Sequence, residues 1–246
     1  MNSIRKNQPI IFVISPYRSG GHWFTHIYNY TLRDKFGFVD ASSRLGDYKP
    51  SYAHFFAEGG LLPGEYMMAH FHYIDELNEF SKREDVRLVI NLRDIRDRVA
   101  SMLNALYFWK KAEGQEISFE QYVESEFMQK TKECAEEIDA FMSINNIYKL
   151  YYEMMLSSPS QTLINLFKFF DLDLSSSHAS EVLEKCSFKN LSGGREKGHE
   201  DKKSPYRKGI SGDWKNFFTE SQKERMKPFV DPLHNRLGYQ NISNQT

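Results

Sequence analysis

Apolar and polar positions divide this chain into segments of two periods. Residues 9–15 (Pro-Ile-Ile-Phe-Val-Ile-Ser) form a short apolar run that breaks into Pro, Ser and Gly. That is the pattern of a strand covered on both faces, as in a parallel sheet. Residues 65–71, 87–92 and 147–152 repeat it and predict three more strands. Between them the spacing turns helical. His22 to Phe36 places Trp23, Ile27, Tyr30 and Thr31 on one side. Asp94 can cap a helix whose apolar stripe is Ile95, Val99, Met102, Leu103 and Leu106. Phe119 to Asn145 predicts a longer helix with Tyr122, Val123, Cys134, Ile138 and Phe141 inward. Ser158-Pro159 starts another on Leu163, Leu166, Phe167 and Phe170, and Ser176 to Cys186 a short one. Thr219 to Gln222 has capping-box spacing and opens a last helix, which Pro228 is expected to curtail. Strands alternating with helices predict one α/β domain over residues 1–246, with a mostly parallel central sheet flanked by helices.

Composition narrows the function classes. Hydrophobic residues make up 40% and charged residues 26% of 246, which excludes a disordered, collagen-like or coiled-coil chain. Lys and Arg number 32 against 33 Asp and Glu. No global charge therefore advertises nucleic acid or an anionic membrane, and any anion site must be local. Ile10–Ile14 is far shorter than a signal or membrane span, and Cys134 and Cys186 are too few for a disulfide framework. The expectation is a cytoplasmic protein.

Local chemistry gathers in a few stretches. Arg18-Ser19-Gly20-Gly21-His22-Trp23 follows the first strand, where glycines and free helix-start N–H groups can cradle an anion. Aligned on Gly20 as a nucleotide-kinase loop, the chain lacks the lysine and the magnesium-binding hydroxyl, having Gly21 and His22 there. A plain strand-to-helix turn is the competing reading. Arg93 ends the third predicted strand, with Asp97 and Ser101 on the helix after it; a solvated, charged helix start accounts for these equally well. Residues 195–208 carry six cations, Arg195, Lys197, Lys202, Lys203, Arg207 and Lys208, against three anions. The near-neutral total conceals one cationic loop. Residues 36–56 hold Phe36, Phe38, Tyr48, Tyr52, Phe55 and Phe56, which, with Tyr107, Phe108 and Trp109, either wall a pocket or fill the core. His70 and His72, or His22 and His26, have no carboxylate or cysteine spacing to complete a metal site, so no metal is expected.

Together these stretches resemble the PAPS-dependent sulfotransferases, in which PAPS is 3′-phosphoadenylyl sulfate and PAP its product. Ser15 to Trp23 is similar to the family's 5′-phosphosulfate loop T-Y-P-K-S-G-T-T-W, with Arg18 for Lys and Gly21-His22 for the threonines. Arg93 to Ser101 resembles the 3′-phosphate motif R-N-P-x-D-x-x-x-S, matching at Arg93, Asp97 and Ser101. Arg207 to Lys215 agrees with R-K-G-x-x-G-D-W-K at every fixed position. Tyr151-Tyr152-Glu153 resembles Y-E-D, and Cys186-Ser187-Phe188 resembles T-S-F.

The resemblance implies a PAPS-binding core over about residues 9–215, with a C-terminal helix and tail over 216–246. It implies nucleotide contacts from Arg18, Ser19, Gly20, Gly21, His22, Trp23, Arg93, Ser101, Tyr152, Ser187, Phe188, Arg207, Lys208 and Gly209. Met68 to His72 resembles K-T-H-L-P, which makes His70 the base for the acceptor proton, with His72 as its rival. Arg18 and Ser19 would stabilise the leaving phosphate. The implied reaction is transfer of a sulfuryl group to a hydroxyl or amine of a small molecule. Against it stand a nucleotide kinase or other NTPase, and a nucleotide-binding protein without turnover. Lys215, Thr219 and Glu224 resemble a short dimer motif in which Glu220 replaces valine, so a monomer or weak homodimer is expected.

Overall fold

Ile10–Ile14 (β1) is fully buried and is the middle strand of a five-stranded sheet. In this computed structural model, which describes residues 8–43, 55, 59–70, 73, 75–112, 114, 116–239 and 242, the other strands are Val39–Asp40 (β2), Glu65–Ala69 (β3), Val86–Leu92 (β4) and Ile147–Tyr151 (β5). Their spatial order is β2-β3-β1-β4-β5, every pair parallel. The continuous apolar run of β1 now has its reason. Ile10, Phe12 and Ile14 face one helical layer while Ile11 and Val13 face the other.

On the first face lie Ile95–Ala112 (α3), Phe119–Phe141 (α4) and Glu220–Leu237 (α10). On the second lie Gly21–Tyr28 (α1), which continues as a π-helical turn over Asn29–Arg33, with Pro159–Phe169 (α6) and Ser176–Lys185 (α7). Short helices at Glu76–Ser81 (α2), Tyr152–Ser157 (α5), Phe188–Leu191 (α8) and Trp214–Phe217 (α9) complete the described elements. After β1 the chain builds β2 and β3 on one side of it, then crosses to β4 on the other. The crevice at the carboxyl end of β1 is therefore a topological switch point, where ligands of such sheets bind.

Three expectations change. Tyr152 begins α5 rather than ending the strand, and the long helix stops at Phe141. Pro228 does not curtail α10, which runs to Leu237 with Pro228 and Pro232 inside it. Both prolines are exposed, whereas Gln222, Met226, Val230, Leu233 and Leu237 form the buried stripe. The carbonyls that lose their partners thus lie on the solvent side, where water satisfies them. Among the described residues, no helix is long and apolar enough to cross a membrane.

Candidate active site

The loops leaving the carboxyl ends of β1, β3, β4 and β5 meet at the switch point. In the first loop Ser19 N–H donates to Pro16 O at 3.0 Å, closing a turn. Arg18 has φ +68, a left-handed conformation unusual for a residue with a side chain. Two arginines brace it from behind: Arg98 Nε donates to Tyr17 O at 3.2 Å and Arg93 Nη1 to Arg18 O at 3.3 Å. Gly20, at φ +91, has no Cβ because one would sit 2.8 Å from the Tyr152 ring. The N–H groups of Gly20, Gly21 and His22 have no partner among the described residues, and the Ser19 hydroxyl is fully buried and unpartnered. A nest of donors is thus turned toward one place.

The Arg18 Nε donates to Ser101 Oγ at 2.9 Å, across from α3. Burial is the main cause lowering the Arg18 pKa, and the charges of Arg93 and Arg207 add to it. Arg93 itself stacks over the Tyr152 ring at 4.6 Å and donates to Ile210 O at 3.2 Å, leaving Nε buried without a partner. These crowded cations and orphaned donors suit an anion.

The third segment is locked to the second. Asp97, in the first turn of α3, accepts from Gly212 N at 2.7 Å, Trp214 N at 3.0 Å and Ser211 Oγ at 3.3 Å. Arg207 pairs with Glu200 at 2.5 Å and Asp213 at 2.6 Å, and Lys208 with Asp213 at 2.8 Å. Gly209 has φ +66, and a Cβ there would sit 2.3 Å from the Phe188 ring. Trp23 Nε1 donates to Cys186 O at 2.8 Å, and its ring meets Tyr152 edge-on at 5.6 Å. Ser187 Oγ accepts from Asn190 N at 3.3 Å and so caps α8.

One cleft of about 200 Å³ collects these groups. Its lining includes Arg18, Gly20, Gly21, His22, Trp23 and His70 from the β1 and β3 ends, and Arg93, Ser101 and Tyr152 from the β4 and β5 sides. Ser187, Phe188, Arg207, Lys208 and Gly209 close it. Of the residues expected at the site, Ser19 alone is not part of that lining, being fully buried in the same loop. Tyr206 and Ile210 also line the cleft and have no signal in the sequence, and Lys197 has one only as a cation of its loop, because they lie on an aperiodic stretch whose position depends on distant contacts.

His70 stands where two cavities meet. The second, of about 160 Å³, is lined by Ser15, Gly21, His22, Thr25, Met68, Ala69 and His70. The Nδ1 of His70 lies 2.5 Å from Ser15 O. A carbonyl only accepts, so Nδ1 bears a hydrogen, and in the neutral ring the lone pair is on Nε2. His22 borders both cavities too, and burial, then Arg18 and His70, lower its pKa. His72 lies outside the described residues, as do Tyr48, Tyr52 and Phe56. Phe38, Phe55 and Tyr107 are buried core residues, and Phe36 stacks on Phe167 at 5.7 Å. Only Trp109 of the described aromatic candidates approaches the site: it is half-exposed, its ring 6.2 Å from that of Tyr17, which meets His70 edge-on at 5.5 Å.

Comparison with known proteins gives a consistent result. A profile of the sulfotransferase domain matches residues 8–238. The flavonol 3-sulfotransferase of Flaveria bidentis is 26% identical over 185 residues, covering 66% of this chain and 59% of that protein. Sulfotransferase 2A6 of Mus musculus is 28% identical over 171 residues, covering 62% of this chain and 57% of its own. The matches therefore span less than two thirds of either relative's length. A mouse sulfotransferase complexed with PAP has a TM-score of 0.68 at 17% identity, covering 92% of this chain and 85% of its own. Retinol dehydratase, in complex with androsterone and PAP, has a TM-score of 0.62 at 15% identity, covering 94% and 83%. These structural likenesses concern the fold.

Proposed function

Because the chain belongs to the sulfotransferase domain family, we propose that it transfers a sulfuryl group from PAPS to a hydroxyl or amine of a small-molecule acceptor, without a metal ion. One observation carries the reading: three anion-suited segments, spread along the chain from Arg18 to Gly209, border a single cleft that also holds His70. A nucleotide with phosphate groups at both its 5′ and 3′ positions matches such a set; a plain nucleoside monophosphate would leave part of it unused. The unpartnered Ser19 hydroxyl, the free N–H groups of Gly20 to His22 and the orphaned Arg93 Nε fit that ligand. Two structural neighbours hold PAP, which supports the same nucleotide here.

In this reading the loop donors and Arg18 hold the 5′ end, and Arg93, Arg207 and Lys208 hold the 3′-phosphate. Tyr152, Trp23 and Phe188 supply ring surface for the base. PAPS supplies the activated sulfuryl group when bound. Toward the acceptor, the Nε2 lone pair of His70 takes the hydroxyl or amine proton, since Ser15 O already fixes the other ring nitrogen. Arg18 works by charge alone, offsetting the negative charge that grows on the leaving phosphate, because a guanidinium does not give up its proton. Met68 stands where a lysine occurs in the resembling motif, so that cation is missing and Arg18 carries more of the task.

The test is thermal stabilisation of the full chain by nucleotides. PAP without metal is expected to raise Tm more than ATP with magnesium does, since ligand binding to the native state adds stability. A larger shift with ATP and magnesium overturns the proposal in favour of an NTPase.

A further inference from the structure

The loop between α8 and the Arg207 segment is organised around one side chain, Arg195. Its guanidinium makes four hydrogen bonds: Nη1 donates to His199 O and to Arg207 O, both at 3.0 Å, and Nη2 donates to Ser204 Oγ at 3.1 Å and Tyr206 O at 2.7 Å. The same guanidinium lies over the Phe188 ring, 5.3 Å from its centre. The main chain of Gly209 also packs on that ring, as its forbidden Cβ shows. Backbone pairs repeat the pattern, Gly198 N with Lys208 O at 2.8 Å and Asp201 N with Arg207 O at 3.0 Å. Arg195 is not part of the cleft lining, unlike Phe188, Tyr206, Arg207 and Gly209 around it.

We infer that Arg195 is a positioning residue, not one of the phosphate-binding cations, and that it sets nucleotide discrimination by fixing Arg207 and Phe188 relative to each other. This rests on the proposed nucleotide reading. The physical reason is donor geometry. A planar fork with five N–H donors can hold the carbonyls of residues 199, 206 and 207 at once while lying flat on a ring. With both terminal nitrogens of its fork spent on the loop, Arg195 has its charge absorbed by carbonyl dipoles and by the ring face. What reaches the cleft is position: the Arg207 carbonyl is held, so its side chain emerges between Glu200 and Asp213 at one place. Lysine keeps the charge above Phe188 but has neither the fork nor the reach to hold three carbonyls.

The experiment is calorimetric titration of the full chain with PAP and with AMP, which lacks the 3′-phosphate. Arg195→Lys is expected to weaken PAP about tenfold while changing AMP less than about threefold, so the PAP-to-AMP ratio collapses. In an Arg207→Ala background the same substitution should change PAP affinity less than about twofold, because its effect passes through Arg207. Ser204→Ala, which removes one of the four bonds, should shift the ratio the same way by a smaller amount and covers the case in which Arg195→Lys folds poorly. An unchanged ratio in Arg195→Lys and Ser204→Ala, or losses additive with Arg207→Ala, overturns the inference. If the wild-type chain itself fails to prefer PAP over AMP, the nucleotide reading falls and this inference with it; if the wild type prefers PAP and Arg195→Lys does so equally, only this inference falls.

Discussion

At the scale of single residues, the proposed function separates binding from proton transfer. The hydrogen bond of His70 runs from Nδ1 to the Ser15 carbonyl and not to Arg18, Arg93 or Arg207. His70→Ala should therefore slow the chemical step by about 10²–10⁴-fold, the usual cost of a lost general base, with PAP affinity nearly unchanged. Arg18→Ala should reduce both turnover and PAP affinity, because its charge sits in the proposed nucleotide cleft before any reaction begins. Single-turnover sulfation from PAPS, read beside PAP titrations, checks both. A His70→Ala enzyme with wild-type turnover would remove it from the mechanism. The aromatic residues teach the opposite lesson: Phe38 and Phe55 read equally as pocket wall or as core, and burial places them in the core.

At the scale of elements, what the sequence revealed followed from how each feature is written in it. β1 and β4 were legible because a strand covered on both faces is a continuous apolar run, and the anion-suited stretches because each is contiguous. Two-residue β2 has no period to detect, and α8 and α9 are single turns. Asp97 was matched to a motif but not counted among the site residues, since its three donors lie more than a hundred positions away. Arg195 was legible only as one cation among six. The last helix was judged too short because a proline signal was read without knowing which face it occupies. That helix yields a prediction of its own. Thr219 caps it reciprocally with Gln222, so Thr219→Ala should cost about 1 kcal/mol. Pro228 removes an interior hydrogen bond on the exposed face, so Pro228→Ala should add about 1 kcal/mol. Urea unfolding of both variants decides; a destabilised Pro228→Ala would mean that the proline fits the native helix better than exposure alone suggests.

At the scale of the whole molecule, the first layer meets the site through a buried polar cluster. Glu153 Oε1 accepts from Asp94 N at 2.9 Å while Oε2 has no partner, and Ile95 N donates to His234 Nε2 at 3.3 Å. Burial, reinforced by the nearby Asp94 charge, pushes the Glu153 carboxyl from its ordinary 4.5 up to about 7. Between those values the native state keeps a proton that the unfolded chain has released. The Glu153 contribution is thus full below about pH 4.5 and is lost as pH rises through about 7, by at most roughly 3 kcal/mol. Burial lowers His234 instead, so its contribution is lost as pH falls below its ordinary 6.5. The stability difference between wild type and Glu153→Gln should consequently move in favour of the variant from about pH 5 to about pH 8; a difference independent of pH refutes the buried proton. The braces of the cleft have a separate consequence. Arg93 reaches Ile210 and Asp97 reaches Trp214, each across 117 residues, and closing so large a loop is an entropic cost met only when the intervening chain is ordered. During synthesis, then, the cleft stays open at one side until residue 214 has emerged, so a growing or truncated chain offers the Arg18 loop without its closing wall.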